Sequence, residues 1–206
     1  MRKNILRNNT VVKHIVHQLW ALFLSLYFLG GLFHVCHASE VQIYFSDKMQ
    51  NINPNIVFVR HALAPGIGDP VEFDIYNCDS QRNLDSVGKL QAKALGSFLR
   101  RSKIDFNSIL SSEWCRCKET SELLNLGDWM TFTGLNSFFD GHVNKKESLQ
   151  ILNEKINSFP QETLNLMVTH QVVISAVTGI FVPSGGMVFY NSVDGKAEVV
   201  PWETLD

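Results

Sequence analysis

Ile56-Val57-Phe58-Val59-Arg60-His61 is the stretch on which the fold assignment rests. Four consecutive apolar residues lead directly into an arginine and a histidine, and a segment rich in Pro and Gly, residues 62–70, follows. A short unbroken apolar run bounded by turn residues is typical of a strand buried on both faces, as in a parallel sheet. Open α/β sheets bind ligands at the carboxyl ends of their strands, so we expect Arg60 and His61 to lie at a ligand crevice.

Two later predicted strands end in polar residues in the same way. Ile109–Ser112 leads into a helix from Glu113 to Leu126 that carries Arg116 in its first turn, and Leu164–Thr169 leads into His170. Because the carboxyl ends of parallel strands share one edge, these side chains should meet those of the first strand in one crevice. A guanidinium group binds two phosphate oxygens at once, and a histidine can accept a phosphoryl group. The convergence favours an anion site over the alternative that each residue is structural.

The rest of the chain alternates helices with strands. A helix is predicted to begin near Asp85 or Ser86, with one apolar face formed by Val87, Leu90, Ala94, Leu95, Phe98 and Leu99. Further helices are predicted at Lys145–Ser158 and Val172–Gly179. Asp194-Gly195 between two apolar runs is typical of a β-hairpin. This alternation predicts an α/β domain with a largely parallel sheet.

Length and charge narrow the class of protein. The 206 residues, 45% of them apolar, are enough for one domain with a core and too few for two. Residues 1–38 hold four basic and no acidic residues, which leaves 14 Lys and Arg against 20 Asp and Glu in residues 39–206. Binding to a nucleic-acid backbone needs a basic surface, so this acidic balance argues against a nucleic-acid partner.

Residues 1–38 are typical of a secretory leader. A basic segment precedes the apolar run 19–35, and Cys36-His37-Ala38 supplies small residues in the spacing of a processing site. We expect cleavage after Ala38, which leaves residues 39–206 as the mature domain. The alternative is an uncleaved anchor formed by residues 19–35, which would be the chain's one contact with a membrane. Either way the domain is expected outside the cytoplasm, in the periplasm.

Three cysteines remain in the predicted mature chain: Cys78, Cys115 and Cys117. An oxidising compartment favours one disulfide, joining Cys78 to either Cys115 or Cys117, and leaves one thiol over. A Cys-x-Cys zinc site would need a second pair of ligands, which the sequence lacks, so no metal is expected.

The motifs also resemble those of a known family. They are Val57-Phe58-Val59-Arg60-His61, Arg82-Asn83-Leu84 with Gly88 and Gln91-Ala92, Ser111-Ser112-Glu113-x-x-Arg116-x-x-x-Thr120, and Val168-Thr169-His170. In order and spacing, over about residues 55–180, they resemble the histidine phosphatase superfamily, which includes phosphoglycerate mutases, acid phosphatases, phytases and phosphohistidine phosphatases. The resemblance implies a three-layer α/β sandwich, with a mostly parallel central sheet flanked by helices.

The resemblance also implies an activity. His61 would attack phosphorus and become a phosphohistidine, while Arg60, Arg116 and His170 would bind the phosphoryl group, with His170 also catalytic and with no metal or organic cofactor. The expected function is hydrolysis of a small phosphomonoester. An exported chain with Arg-His-Ala resembles phosphatases of heptose phosphate, so an envelope sugar phosphate is the candidate substrate. The alternative is a non-catalytic module that binds phosphate or a phosphoprotein in the same pocket.

Two positions depart from the family pattern. Ala62 stands where the family usually has glycine, and a methyl group is tolerated there if the backbone is not left-handed. Ser137 stands where the mutases carry an acid, and serine does not protonate a leaving group usefully. Asp69 is the first candidate to replace that acid, followed by Glu113 and Asp140.

Overall fold

A computed structural model of the protein describes residues 47–204; the predicted leader, residues 1–38, lies outside this range. Its strands are β1 (Ile56–Arg60), β2 (Ser108–Ser111), β3 (Met130–Thr131), β4 (Asn165–Thr169), β5 (Met187–Tyr190) and β6 (Ala197–Val200). Its main helices are α1 (Ser86–Arg101), α2 (Cys115–Leu124), α3 (Lys145–Asn157) and α4 (Gln171–Thr178). Within residues 47–204, no helix has the length and apolar character needed to cross a bilayer.

The six strands form one mixed sheet in the order β3-β2-β4-β1-β5-β6. The strands β3, β2, β4 and β1 pair in parallel, whereas β5 and β6 form an antiparallel hairpin at one edge. Helices flank the sheet, and the four apolar residues of β1 are completely buried. The predicted α/β class and the terminal hairpin are both confirmed.

Helix α1 begins as predicted, because the side chain of Asp85 accepts a hydrogen bond from the Gly88 backbone N–H at 2.7 Å. The predicted inward face is partly wrong, since Val87 is 57% and Leu90 is 67% exposed. The buried face consists of Gly88, Ala92, Leu95, Gly96, Phe98 and Leu99. A Cβ atom at either glycine would lie 1.9 or 2.1 Å from a backbone oxygen of the adjoining chain. Backbone contact at the two glycines therefore sets the rotation of the helix.

The carboxyl ends of β1, β4 and β2 lie side by side, as expected. Arg60 pairs with Thr169 in the register of β1 and β4, and the His61 N–H donates to the Thr169 oxygen at 2.9 Å. The Ser112 N–H donates to the Val168 oxygen, also at 2.9 Å. The polar residues that follow the three strands consequently emerge at one edge of the sheet.

One disulfide joins this edge to the preceding loop. Of the two pairings that the sequence allows, the structure contains Cys78–Cys115, which closes a loop over a sequence separation of 37. Cys117 remains a free, buried thiol. The bridge fixes the loop that contains Arg82 to the start of α2, where Arg116 lies.

Candidate active site

A cleft of about 310 Å³ opens at the carboxyl edge of the sheet. Its lining includes the predicted set Arg60, His61, Arg116 and His170, together with Gly66, Ile67, Gly68, Arg82, Ser137, Phe139, Asp140, Gln171, Val172 and Phe181. The structure thus brings together the two arginines and two histidines that follow three different strands. Arg82 is an addition to that set, and its sequence signal was its place in the Arg82-Asn83-Leu84 motif.

His61 is held as a neutral imidazole with one nitrogen free. The residue is 2% exposed, and its Nδ1 lies 2.8 Å from the backbone oxygen of Ala62, so Nδ1 carries the proton and donates it. Burial, and then the charge of Arg116, lower the pKa of His61 to about 3. Nε2 therefore keeps its lone pair at neutral pH and makes no hydrogen bond within residues 47–204. A neutral, oriented imidazole is what nucleophilic attack requires.

His170 lies beside this imidazole at the start of α4. It is 3% exposed, and the centroids of its ring and of the His61 ring are 5.4 Å apart. Its Nε2 lies 2.9 Å from the hydroxyl oxygen of Ser112, which fixes the orientation of the ring. Burial is the main cause that holds the pKa of His170 well below its usual value, followed by the charge of Arg116. Both histidines are consequently neutral at physiological pH.

Three guanidinium groups give the cleft its positive charge. Arg60 donates from Nη1 to the Val182 oxygen at 2.9 Å, and Arg82 donates from Nε to the Gly68 oxygen at 2.9 Å. Burial and then the charge of Arg116 lower the pKa of both Arg60 and Arg82. Within residues 47–204, the Nε–H groups of Arg60 and Arg116 are buried and have no hydrogen-bond partner. Cationic side chains with buried, unused N–H donors are expected of an anion-binding site.

Asp69 lies behind the cleft as the counter-ion of Arg116. Its carboxylate accepts from Arg116 Nη1 at 2.7 Å and Nη2 at 3.1 Å, from Trp114 Nε1 at 2.9 Å, and from the Arg82 backbone N–H at 3.1 Å. Burial alone would raise the pKa of Asp69, but the hydrogen bonds and charge of Arg116 outweigh it and lower the pKa. The acid role predicted for Asp69 stays a prediction, and these contacts oppose it, because an ionised carboxylate has no proton to donate.

The other two predicted acids occupy different clefts. Glu113 accepts a hydrogen bond from Asn136 Nδ2 at 2.6 Å and lines a separate cleft with Phe73 and Trp114. Asp140 lines the first cleft, which contains Arg60, Arg82 and Arg116 (the arginine cleft). It is exposed, and its Oδ2 accepts a hydrogen bond from the backbone N–H of Asp69 at 3.1 Å. Of these two, the structure places Asp140 alone beside the histidines.

Ala62 fits the position where the family usually has glycine. It is not among the residues with a positive φ, and its backbone N–H donates to the Thr120 hydroxyl at 3.0 Å. The condition set for a methyl group at this position, a backbone that is not left-handed, is therefore met. Within residues 47–204, no group of three or more His, Cys, Asp and Glu side chains is arranged to hold a metal ion.

Comparison with known proteins establishes the fold. No protein-family model and no curated protein matches the chain. Among solved structures, it is similar to the protein histidine phosphatase SixA complexed with tungstate, with 15% identity, a TM-score of 0.50, and coverage of 70% of this chain and 93% of that one. A protein of Escherichia coli K-12 assigned as an alpha-ribazole-5'-P phosphatase matches with 16% identity, a TM-score of 0.51 and the same coverage.

A third similar structure is the product of an open reading frame of Mycobacterium tuberculosis, with 13% identity, a TM-score of 0.50, and coverage of 70% of this chain and 94% of that one. The fold of this chain is therefore that of the histidine phosphatases, as the motifs implied.

Proposed function

We propose that this protein is a phosphatase that hydrolyses phosphomonoesters through a phosphohistidine on His61. The observation that carries the proposal is a buried neutral imidazole, with Nε2 free, in a cleft that also contains three guanidinium groups. The similar solved structures include proteins named as phosphatases, which supports a phosphorylated substrate.

The proposed chemistry follows from the charges in the cleft. Arg60, Arg82 and Arg116 attract the phosphate group and stabilise the charge that spreads over its oxygens in the transition state. His61 attacks phosphorus with Nε2, while its Nδ1–H remains hydrogen-bonded to Ala62. His170, beside it, contacts the same phosphoryl group. Water then hydrolyses the phosphohistidine and releases inorganic phosphate.

The location and substrate are further parts of the proposal. The predicted leader supports export to the periplasm, and with it a substrate of the cell envelope. An envelope sugar phosphate is supported by Phe139 and Phe181, which line the cleft and are 58% and 78% exposed. Aromatic rings at the mouth of a cationic cleft suit a ligand that joins a phosphate group to the C–H face of a sugar ring.

The test is hydrolysis of 4-nitrophenyl phosphate by the purified protein and by His61→Ala. We expect turnover by the wild type and a loss of at least about 100-fold in the variant. Acid-labile phosphate should appear on the wild-type protein when the reaction is stopped early, and should be absent from His61→Ala. His142→Ala is the matched control, because His142 lines the separate Glu113 cleft and should keep full activity.

The competing function is a module that binds phosphate without catalysis, and Ser137 at the family's acid position favours it. A protein with no turnover whose melting temperature rises with inorganic phosphate would support this module and contradict the phosphatase. Release of phosphate from a hexose 6-phosphate faster than from glycerol 3-phosphate would support the sugar substrate, and the reverse order would contradict it.

A further inference from the structure

We propose that Asp140 is the proton donor to the leaving group and that Asp69 is a positioning residue for Arg116. The proposal rests on the phosphatase function and deepens it. The need for a donor is chemical: an alcohol leaves phosphorus as an alkoxide, a very strong base, unless a proton reaches the ester oxygen as the bond breaks. Ser137, which lines the cleft, does not supply that proton usefully.

The three carboxyl groups near the cleft differ in the hydrogen bonds that they already accept. Asp69 accepts four hydrogen bonds, two of them from Arg116, and its side chain is 2% exposed. Both of its oxygens are taken up by these contacts, and Asp69 does not line the cleft in which an ester would bind. Glu113 is held by Asn136 and faces another cleft. Both are thereby removed as donors to an ester bound in the arginine cleft.

Asp140 has the geometry that the other two lack. It lines the arginine cleft together with His61, and it is exposed at the mouth, where a leaving group must lie. Its Oδ2 accepts the Asp69 backbone N–H at 3.1 Å, which orients the carboxyl group, while Oδ1 makes no hydrogen bond within residues 47–204. Oδ1 is therefore the carboxyl oxygen available to the ester oxygen of a substrate bound in this cleft.

The reaction balances with these residues and water alone. Nε2 of His61 forms a bond to phosphorus as the bond between phosphorus and the ester oxygen breaks, and the departing oxygen takes the proton of Asp140. The Asp140 carboxylate then takes a proton from the water that attacks the phosphohistidine. Cleavage of the bond between phosphorus and Nε2 releases phosphate and restores neutral His61. The net reaction is ester plus water to alcohol plus phosphate.

A pair of substrates separates proton donation from phosphate binding. 4-Nitrophenyl phosphate has a leaving group that departs without a proton, whereas hexyl phosphate has an alcohol that needs one. Asp140→Asn keeps the amide oxygen as acceptor for the Asp69 N–H and removes only the acid. We expect it to lower kcat for hexyl phosphate by about 100-fold, with at least a tenfold smaller effect on the aryl ester.

Two further variants complete the test. Asp69→Asn should lower kcat/KM for both esters by the same factor, because it disturbs Arg116 and leaves the donor in place. Glu113→Gln, outside the cleft, should change neither. Equal effects of Asp140→Asn on both esters, or the selective loss in Asp69→Asn instead, would overturn the assignment.

The wild-type protein itself distinguishes the proposals. Hydrolysis of neither ester overturns the phosphatase function and the donor with it. Hydrolysis of the aryl ester without the alkyl ester retains the phosphatase and overturns Asp140 alone, since such an enzyme has no working donor.

Discussion

The contact between Asp69 and Arg116 places two opposite charges almost out of reach of water, with side chains 2% and 4% exposed. Removal of one partner of a buried ion pair leaves an uncompensated charge, at a penalty of about 3 kcal/mol or more. We therefore expect Asp69→Asn to lower the free energy of unfolding by about that amount, measured by urea denaturation. Inorganic phosphate should restore part of this loss and stabilise the variant more than the wild type, because phosphate supplies the missing negative charge beside Arg116.

A surface pair provides the control for this prediction. Lys89 Nζ and Glu119 Oε1 are 2.8 Å apart, and the two side chains are 48% and 34% exposed. We therefore expect Glu119→Gln to change the free energy of unfolding by less than about 1 kcal/mol. An effect of Asp69→Asn as small as that of Glu119→Gln, or no additional stabilisation by phosphate, would show that the buried pair does not set the charge balance of the cleft.

Helix α1 is fixed in place by the two glycines on its buried face. A Cβ at Gly88 would lie 1.9 Å from the backbone oxygen of Leu63, and one at Gly96 would lie 2.1 Å from that of Leu124. Glycine to alanine normally favours a helix by about 1 kcal/mol. Here we expect Gly88→Ala and Gly96→Ala each to lower the free energy of unfolding by at least about 1–3 kcal/mol, because a backbone segment must move.

The two glycine variants should differ in their rate of phosphate-ester hydrolysis. Leu63 follows Ala62 and His61 directly, so Gly88→Ala displaces the segment that begins at the candidate nucleophile and should lower kcat more than Gly96→Ala does. Lys93→Ala, on the exposed side of α1, serves as the control and should leave stability and hydrolysis nearly unchanged. A higher free energy of unfolding in either glycine variant would contradict the close backbone contacts at these two positions.

The elements that the sequence predicted well are those whose signal is local. The apolar runs that became β1 and β4, the Asp85 cap and the Asp194-Gly195 hairpin all depend on residues close together in the chain. The predicted inward face of α1 was partly wrong, because periodicity counts apolar side chains and misses contact made by a glycine backbone.

In the candidate site, too, the features with a local sequence signal were predicted, and those that depend on contacts between distant residues were not. Arg60 and His61 could be placed from strand ends alone, and the convergence with α2 and α4 followed from the parallel order of the strands. The pairing of Asp69 with Arg116 crosses 47 residues and arises only when the loop after β1 folds back over α2. The choice of Cys115 over Cys117 likewise depends on which side of the first turn of α2 faces the loop.

At the scale of the whole molecule, the two buried histidines make stability depend on pH. The pKa of His61 is about 3 in the folded protein and that of His170 is well below its usual value, whereas an unfolded histidine titrates near 6.5. Below about pH 6.5 the two histidines bind protons in the unfolded chain but stay neutral in the folded protein. The free energy of unfolding therefore falls as the pH falls. Each histidine contributes up to about 1.4 kcal/mol per pH unit, a loss that continues to about pH 3 for His61.

The contribution of His61 can be isolated by difference. Urea denaturation of the wild type and of His61→Gln between about pH 7 and about pH 5 should show a shallower loss of stability in the variant, by about one proton per molecule. Asp69 does not distort the comparison, because its pKa is lowered and its contribution is lost only at a more acidic pH. Equal slopes would mean that His61 accepts a proton in the folded protein below about pH 6.5. That result would remove the neutral imidazole on which the proposed attack depends, whereas a shallower slope in His61→Gln ties the acid sensitivity of the fold to its candidate nucleophile.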